Sequence, residues 1–144
     1  MRVLAVDHGE KRIGIAISDS TGTIARPLAV LKHTSRTEDA QHVLSLASEH
    51  HAEVIVVGES RDEQGNPNTA GRRAGRFAAA LQSLTHIDVV LWDESLSSRD
   101  AREWRAAGGA SRKRRRAGVD AAAAAVILQS YLEVQRGLLG GAAR

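Results

Sequence analysis

Along the first third of the chain, apolar and polar positions alternate with a period of two. Val3, Ala5 and Asp7 fall on one face of a strand and Leu4 and Val6 on the other. Gly9 follows at once. Ile13, Ile15 and Ile17 then alternate with Gly14, Ala16 and Ser18, which predicts an antiparallel, half-buried partner strand. Thr21-Gly22-Thr23 makes a second turn, and Ile24 to Lys32 reads as a third strand interrupted by Pro27. A proline there predicts an edge strand or a bulge, because it cannot donate to the ladder.

The period then changes. Ser35-Arg36-Thr37-Glu38 is a capping-box pattern that opens a helix running to about His50, with Ala40, Val43, Leu44 and Ala47 as its core-facing stripe. Glu53 to Val57 is a continuous apolar run of the buried, parallel type. A polar loop from Gly58 to Asn68, rich in turn formers, leads to a second helix from about Thr69. Ala70, Ala74, Phe77, Leu81 and Leu84 share one face of it, while Arg72 and Arg76 share another. Asp88 to Trp92 reads as a further buried strand, ending in Asp93-Glu94. Ser97-Ser98-Arg99-Asp100 caps a third helix that stops near Gly108-Gly109. Segment 110–118 has no apolar periodicity and reads as a mobile loop. The last helix is expected from near Asp120, and the glycine-rich tail 137–144 as a frayed, flexible end.

This order, β-β-β-α-β-α-β-α-α, predicts an α/β fold: a mixed five-stranded sheet with helices on both faces, in one domain over residues 1–136. Crossover rules set the strand ending at Gly58 beside the first, and the strand ending before Glu94 next in line. Their carboxyl ends converge on one edge, where α/β folds bind ligands.

Composition narrows the function. The 144 residues contain no cysteine, which excludes disulfides and thiolate metal sites and fits a reducing cytoplasm. The chain opens directly on a strand, and no apolar run approaches the roughly 18 residues a membrane span needs; a soluble, cytoplasmic protein without targeting segment or membrane contact is expected. The net charge of +3 is unevenly placed. Arg112, Lys113, Arg114, Arg115 and Arg116 are contiguous, and Arg72, Arg73 and Arg76 cluster, as in chains that contact polyanions. Aromatic residues are only 3% of the chain, so a base-stacking platform is not expected; a nucleic-acid partner would be held by phosphates and shape.

Three acids converge on the predicted ligand edge. Asp7 ends the first strand, Glu94 follows the last, and Asp120 opens the last helix. Each has a plain structural use: Asp7 to shape its turn, Glu94 as a solvated loop residue, Asp120 as a helix cap. Together they would repel unless a cation lay between them, and Mg²⁺ or Mn²⁺ suits carboxylate oxygens. Two such ions about 4 Å apart can activate water and stabilise the leaving oxygen of a phosphodiester. None of the six histidines shows metal-ligand spacing, and only His8, beside Asp7, is a candidate for a direct role. Walker and dinucleotide-binding glycine motifs are absent.

The segments LAVDHGEKRIGIAISD, IVVGES, DESLSS and AGVDAAAAAVILQSYL, in this order along nearly the whole chain, resemble the YqgF/RuvX family. That family has a ribonuclease H-like fold and is described as Holliday-junction resolvases or nucleases maturing the 5′ end of pre-16S ribosomal RNA. The resemblance implies that Asp7, Glu94 and Asp120 are the catalytic, metal-binding acids, with products carrying 5′-phosphate and 3′-hydroxyl ends. It also implies that Lys11 and Arg12 lie near the substrate backbone. The basic run Arg112, Lys113, Arg114, Arg115 and Arg116 is expected, from its charge, to contact phosphates beyond the scissile bond. Two departures from the family pattern stand out. Glu59-Ser60 replaces the usual Leu-Pro after Gly58, adding a negative charge to a loop expected near the site. Ser95 replaces the arginine expected next to Glu94.

The function expected is a divalent-metal-dependent endonuclease acting on structured nucleic acid, either a four-way DNA junction or precursor ribosomal RNA, as monomer or homodimer. The alternative is a catalytically silent binding module of the same fold, docking nucleic acid or protein. An actin-like nucleotide phosphotransferase also begins with a strand-Asp-x-Gly hairpin, but needs two such domains where this chain has one.

Overall fold

The computed structural model describes the backbone of residues 1–96 and 112–143, and the side chains of 1–95 and 121–137. Five strands form one sheet in the order β3-β2-β1-β4-β5: β1 (Val3–His8), β2 (Arg12–Ser18), β3 (Ala25–Lys32), β4 (Val54–Glu59) and β5 (Asp88–Asp93). The first three are antiparallel, and β4 and β5 join β1 in parallel. The β1–β2 turn is tight: Gly9 N–H donates to the Arg12 carbonyl at 2.9 Å, and a Cβ on Gly9 would lie 2.6 Å from that oxygen. Pro27 does both things expected of it. β3 is an edge strand, and its register with β2 shifts between Ile15 and Ala16.

Helices α1 (Arg36–Glu49) and α2 (Thr69–Leu84) cover one face. Ser35 caps α1 by accepting from Glu38 N–H at 3.1 Å, and Asn68 caps α2 by accepting from Gly71 N–H at 2.9 Å. Their buried stripes, Ala40, Val43 and Ala47 on α1 and Ala74, Phe77 and Leu81 on α2, meet Leu4, Val6, Ile13, Ile15, Ile17, Ile55 and Val57 of the sheet. Arg72 and Arg76 are exposed, as their spacing predicts.

Helix α3 (Arg112–Ala143) covers the other face. Ala124, Ile127, Leu128 and Leu132 pack on Val3, Ala5, Ala16, Val54 and Val56. The alanines of this helix let its axis lie close over the small residues beneath. Three hydrogen bonds tie it to opposite edges of the sheet. Gln129 accepts from Ala25 N–H at 2.9 Å and donates to the Thr23 carbonyl at 3.0 Å. Trp92 donates to Ser130 Oγ at 3.2 Å, and its ring meets Tyr131 edge-on.

Three expectations change. The basic segment 112–118 is the start of α3, not a loop, and Asp120 lies inside that helix instead of opening it. Lysine and arginine are good helix formers, and extending an established alanine-rich helix requires no new nucleation; lack of apolar periodicity excludes a buried face, not a helix. The helix likewise continues through the glycine-rich end to Ala143. Strand β5 is a half-exposed edge, with Leu91 40% exposed; among the described residues no strand pairs beyond it. The third helix read between Ser97 and Gly109 lies outside the described residues. Among the described residues, no helix is long and apolar enough to cross a membrane.

Candidate active site at the carboxyl edge of the sheet

Strand alternation assigns Asp7 to the face beneath α3, since Val3 and Ala5 pack there. Its cross-strand partner on β2 is Gly14. On the other side the register pairs Val6 with Val57, so one further step sets Asp7 beside Gly58. The half-buried Asp7 thus stands between two positions without side chains.

Glu94 occupies the space that Gly58 leaves. A Cβ built on Gly58 would lie 3.1 Å from Glu94 Cγ, 3.2 Å from Glu94 Oε1 and 2.8 Å from Ile127 Cδ1. Gly58 is therefore a cradle in which the Glu94 side chain lies over β4, next to the strand that carries Asp7. Asp120 is four residues before Ala124, which is fully buried against this same face; its side chain lies outside the described residues. The structure thus brings Asp7 and Glu94 to one face at one end of the sheet, with the Asp120 backbone position one helical turn before a residue packed on that face.

The neighbouring acids go elsewhere. Asp93 and Glu59 end adjacent parallel strands and are paired in register. Arg61 joins them, donating through Nε to Glu59 Oε1 at 2.8 Å and placing Nη1 3.8 Å from Asp93 Oδ2. Glu59 is consequently not a loop charge facing the site. It is the buried last residue of β4, alternates onto the α2 side, and is neutralised by Arg61. Ser95 N–H donates to Asp93 Oδ1 at 2.9 Å, capping the turn that sends Asp93 and Glu94 in different directions.

Lys11 and Arg12, at the hairpin end of β1 and β2, line an open groove of about 540 Å³ with Glu10, Val30, Lys32 and His33. It lies at the same end of the sheet as Asp7. The side chains of Arg112, Lys113, Arg114, Arg115 and Arg116 lie outside the described residues.

His8 turns away from Asp7. It is buried on the α1/α2 side, stacked on Phe77 with ring centroids 4.4 Å apart, so no direct role beside Asp7 follows. It meets instead a pair that sequence spacing did not reveal. His33 Nδ1 bonds Asp39 Oδ2, and His8 Nε2 is 3.9 Å from the same oxygen. His33 follows β3 and Asp39 lies in the first turns of α1, so nothing in their spacing from His8 forms a motif. The available signal was the alternation of β1, which sends a histidine into an apolar face.

The family model described as RuvX, Holliday junction resolvase, matches residues 1–134. The chain belongs to the RuvX family. Relatives in this family include proteins from Halalkalibacterium halodurans, 37% identical over 94% of this chain and 99% of its own length, and Geobacillus kaustophilus, 38% identical over 94% of this chain and all of its own. Both carry the name "Putative pre-16S rRNA nuclease". Among solved structures, RuvC of T. thermophilus in complex with Holliday junction substrate superposes with a TM-score of 0.63, at 16% identity over 95% of this chain and 96% of that one. Fowlpox virus resolvase with Holliday junction DNA gives 0.54, at 13% identity over 94% of this chain and 99% of that one. The RuvX chain thus has the ribonuclease H-like fold expected of it.

Proposed function

We propose that this RuvX protein is a divalent-metal-dependent endonuclease that hydrolyses phosphodiester bonds in structured nucleic acid. One observation carries the reading: Asp7 stands between Gly14 and Gly58, and Glu94 lies over Gly58 on the same face. Two carboxylates on one face of the sheet are hard oxygen donors, a donor set suited to Mg²⁺ or Mn²⁺. Asp7, Glu94 and Asp120 would hold the metal, which supplies an activated water and charge stabilisation at the scissile phosphate. The strand and the tight hairpin hold Asp7 in place; the glycine cradle orients Glu94. Lys11 and Arg12, with the basic run Arg112 to Arg116, hold the phosphate backbone on either side of the bond to be cut.

The names of the relatives support precursor ribosomal RNA as substrate, and the fold of the junction-bound resolvases supports a four-way DNA junction. Both substrates place the protein in the cytoplasm. Wild type and Asp7→Asn, each with Mg²⁺ or Mn²⁺, are tested on a labelled four-way junction and an extended pre-16S RNA. Wild type is expected to cut one of them, and Asp7→Asn to bind it without cutting. Cleavage retained by Asp7→Asn would overturn the site assignment. Binding by wild type without metal-dependent cleavage of either substrate would make the chain a silent binding module.

A further inference from the structure

We propose that His8, His33 and Asp39 form a transition-metal site of the Zn²⁺ class, on the face of the sheet opposite the carboxylates and independent of the nuclease reading. One ligand atom from each residue lies within 4.8 Å of the other two. Tetrahedral Zn²⁺ with bonds of about 2.0–2.2 Å sets its ligand atoms about 3.3–3.5 Å apart. The His8 Nε2–Asp39 Oδ2 distance, 3.9 Å, contracts slightly to reach that spacing, while the hydrogen-bonded His33 Nδ1–Asp39 Oδ2 contact opens and releases its shared proton to the solvent as the metal enters.

The buried histidine points to a ligand. His8 is 8% exposed, yet neither of its ring nitrogens has a hydrogen-bond partner among the described residues. A buried polar group left in that condition destabilises the fold, a cost that a metal bond would offset. Its ring plane is already set by stacking on Phe77. Asp39 is prepared in the same way. Its Oδ1 accepts from Thr34 N–H at 3.0 Å and Thr34 Oγ1 at 3.3 Å, leaving Oδ2 turned toward both histidines. Such outer contacts orient a ligating carboxylate.

Two imidazoles and one carboxylate favour Zn²⁺-class cations over Mg²⁺, which prefers oxygen. Three protein ligands leave a fourth position for water, and the His33 side chain, 35% exposed beside the open groove, provides a way in. Arg73 is the positive charge near His8, and its Nη1 lies 3.5 Å from Glu10 Oε1. An ion held here would tie the end of β1 to the end of β3 and the start of α1, stiffening the strand that carries Asp7.

The test is calorimetric titration of the full chain with Zn²⁺ under excess Mg²⁺, with Co²⁺ as a spectroscopic probe, on wild type and Asp7→Asn. Both are expected to bind one equivalent, to give the visible absorption of tetrahedral Co²⁺, and to melt at higher temperature with Zn²⁺. His8→Phe, which keeps the stack on Phe77, and His33→Gln, at a half-exposed position that tolerates change, should each weaken binding at least about tenfold. Failure of wild type to bind Zn²⁺ would overturn the proposal. So would affinity unchanged in both histidine variants, or binding lost in Asp7→Asn and retained in His8→Phe, which would assign the ion to the carboxylates.

Discussion

The two faces of the sheet treat neighbouring polar residues of one strand in opposite ways. On the α3 face, Asp7 lies among glycines and small residues, with Glu94 lying over Gly58. On the α1/α2 face, His8 is buried and stacked on Phe77, with His33, Asp39 and Arg73 beside it. A strand end thus delivers one half-buried carboxylate and one enclosed imidazole within two residues. The difference lies in what the neighbouring positions supply: Gly14 and Gly58 beside Asp7, Ile13 of β2 and the Phe77 ring beside His8.

Filling the open face is the most severe way to break that contrast. Gly58→Val would drive side-chain atoms into Ile127 and Glu94, because a single Cβ already approaches Ile127 Cδ1 to 2.8 Å. A stability loss of about 1–3 kcal/mol in thermal or urea melts is expected, together with loss of cleavage as Glu94 is displaced. Wild-type activity in Gly58→Val would mean that the cradle does not orient Glu94.

The enclosed face is probed by pH. Burial, chiefly, lowers the His8 imidazole from 6.5 to about 4; Arg73 and His33 push it the same way and Asp39 opposes them. In metal-free protein the unfolded chain therefore takes up a proton below pH 6.5 that the folded chain refuses until about pH 4. Stability is full above pH 6.5 and declines by about 3 kcal/mol as pH falls through that window. Denaturant melts of wild type and His8→Phe from pH 7.5 to 4 should show this component in wild type alone. Equal slopes would mean that His8 is not enclosed.

The smallest effect expected is electrostatic. Arg114→Gln, Arg115→Gln and Arg116→Gln combined should weaken nucleic-acid binding and reduce the slope of log affinity against log salt by about 2 to 3. An unchanged slope would remove the start of α3 from the interface while leaving the carboxylate edge intact.

Much of this was legible in residue order. Period-two alternation located β1 to β3, Pro27 marked the edge strand, and the caps at Ser35 and Asn68 fall where turn chemistry predicts. The placement of Asp7 and Glu94 at one end of the sheet follows because acids that follow apolar strands collect at the carboxyl edge of an α/β sheet. Other features depended on pairing that no local pattern encodes. The order of residues presents Glu59 as a loop charge, because its membership of β4 depends on pairing with β5 and its charge partner is Arg61. The His8-His33-Asp39 cluster joins three separate elements, so only the folded arrangement discloses it. The start of α3 was misread because polar residues without periodicity are as compatible with an exposed helix as with a loop.

The central claim is that chemistry belongs to the α3 face alone, and the adjacent pair Asp93-Glu94 tests it within one turn of chain. Metal-dependent cleavage is measured for Glu94→Gln and Asp93→Asn under identical conditions, with melting curves to verify folding. Cleavage is expected to be lost in Glu94→Gln and retained in folded Asp93→Asn, whose carboxylate serves Arg61 and the Ser95 turn. Equal loss in two folded variants, or loss in Asp93→Asn alone, would contradict the account.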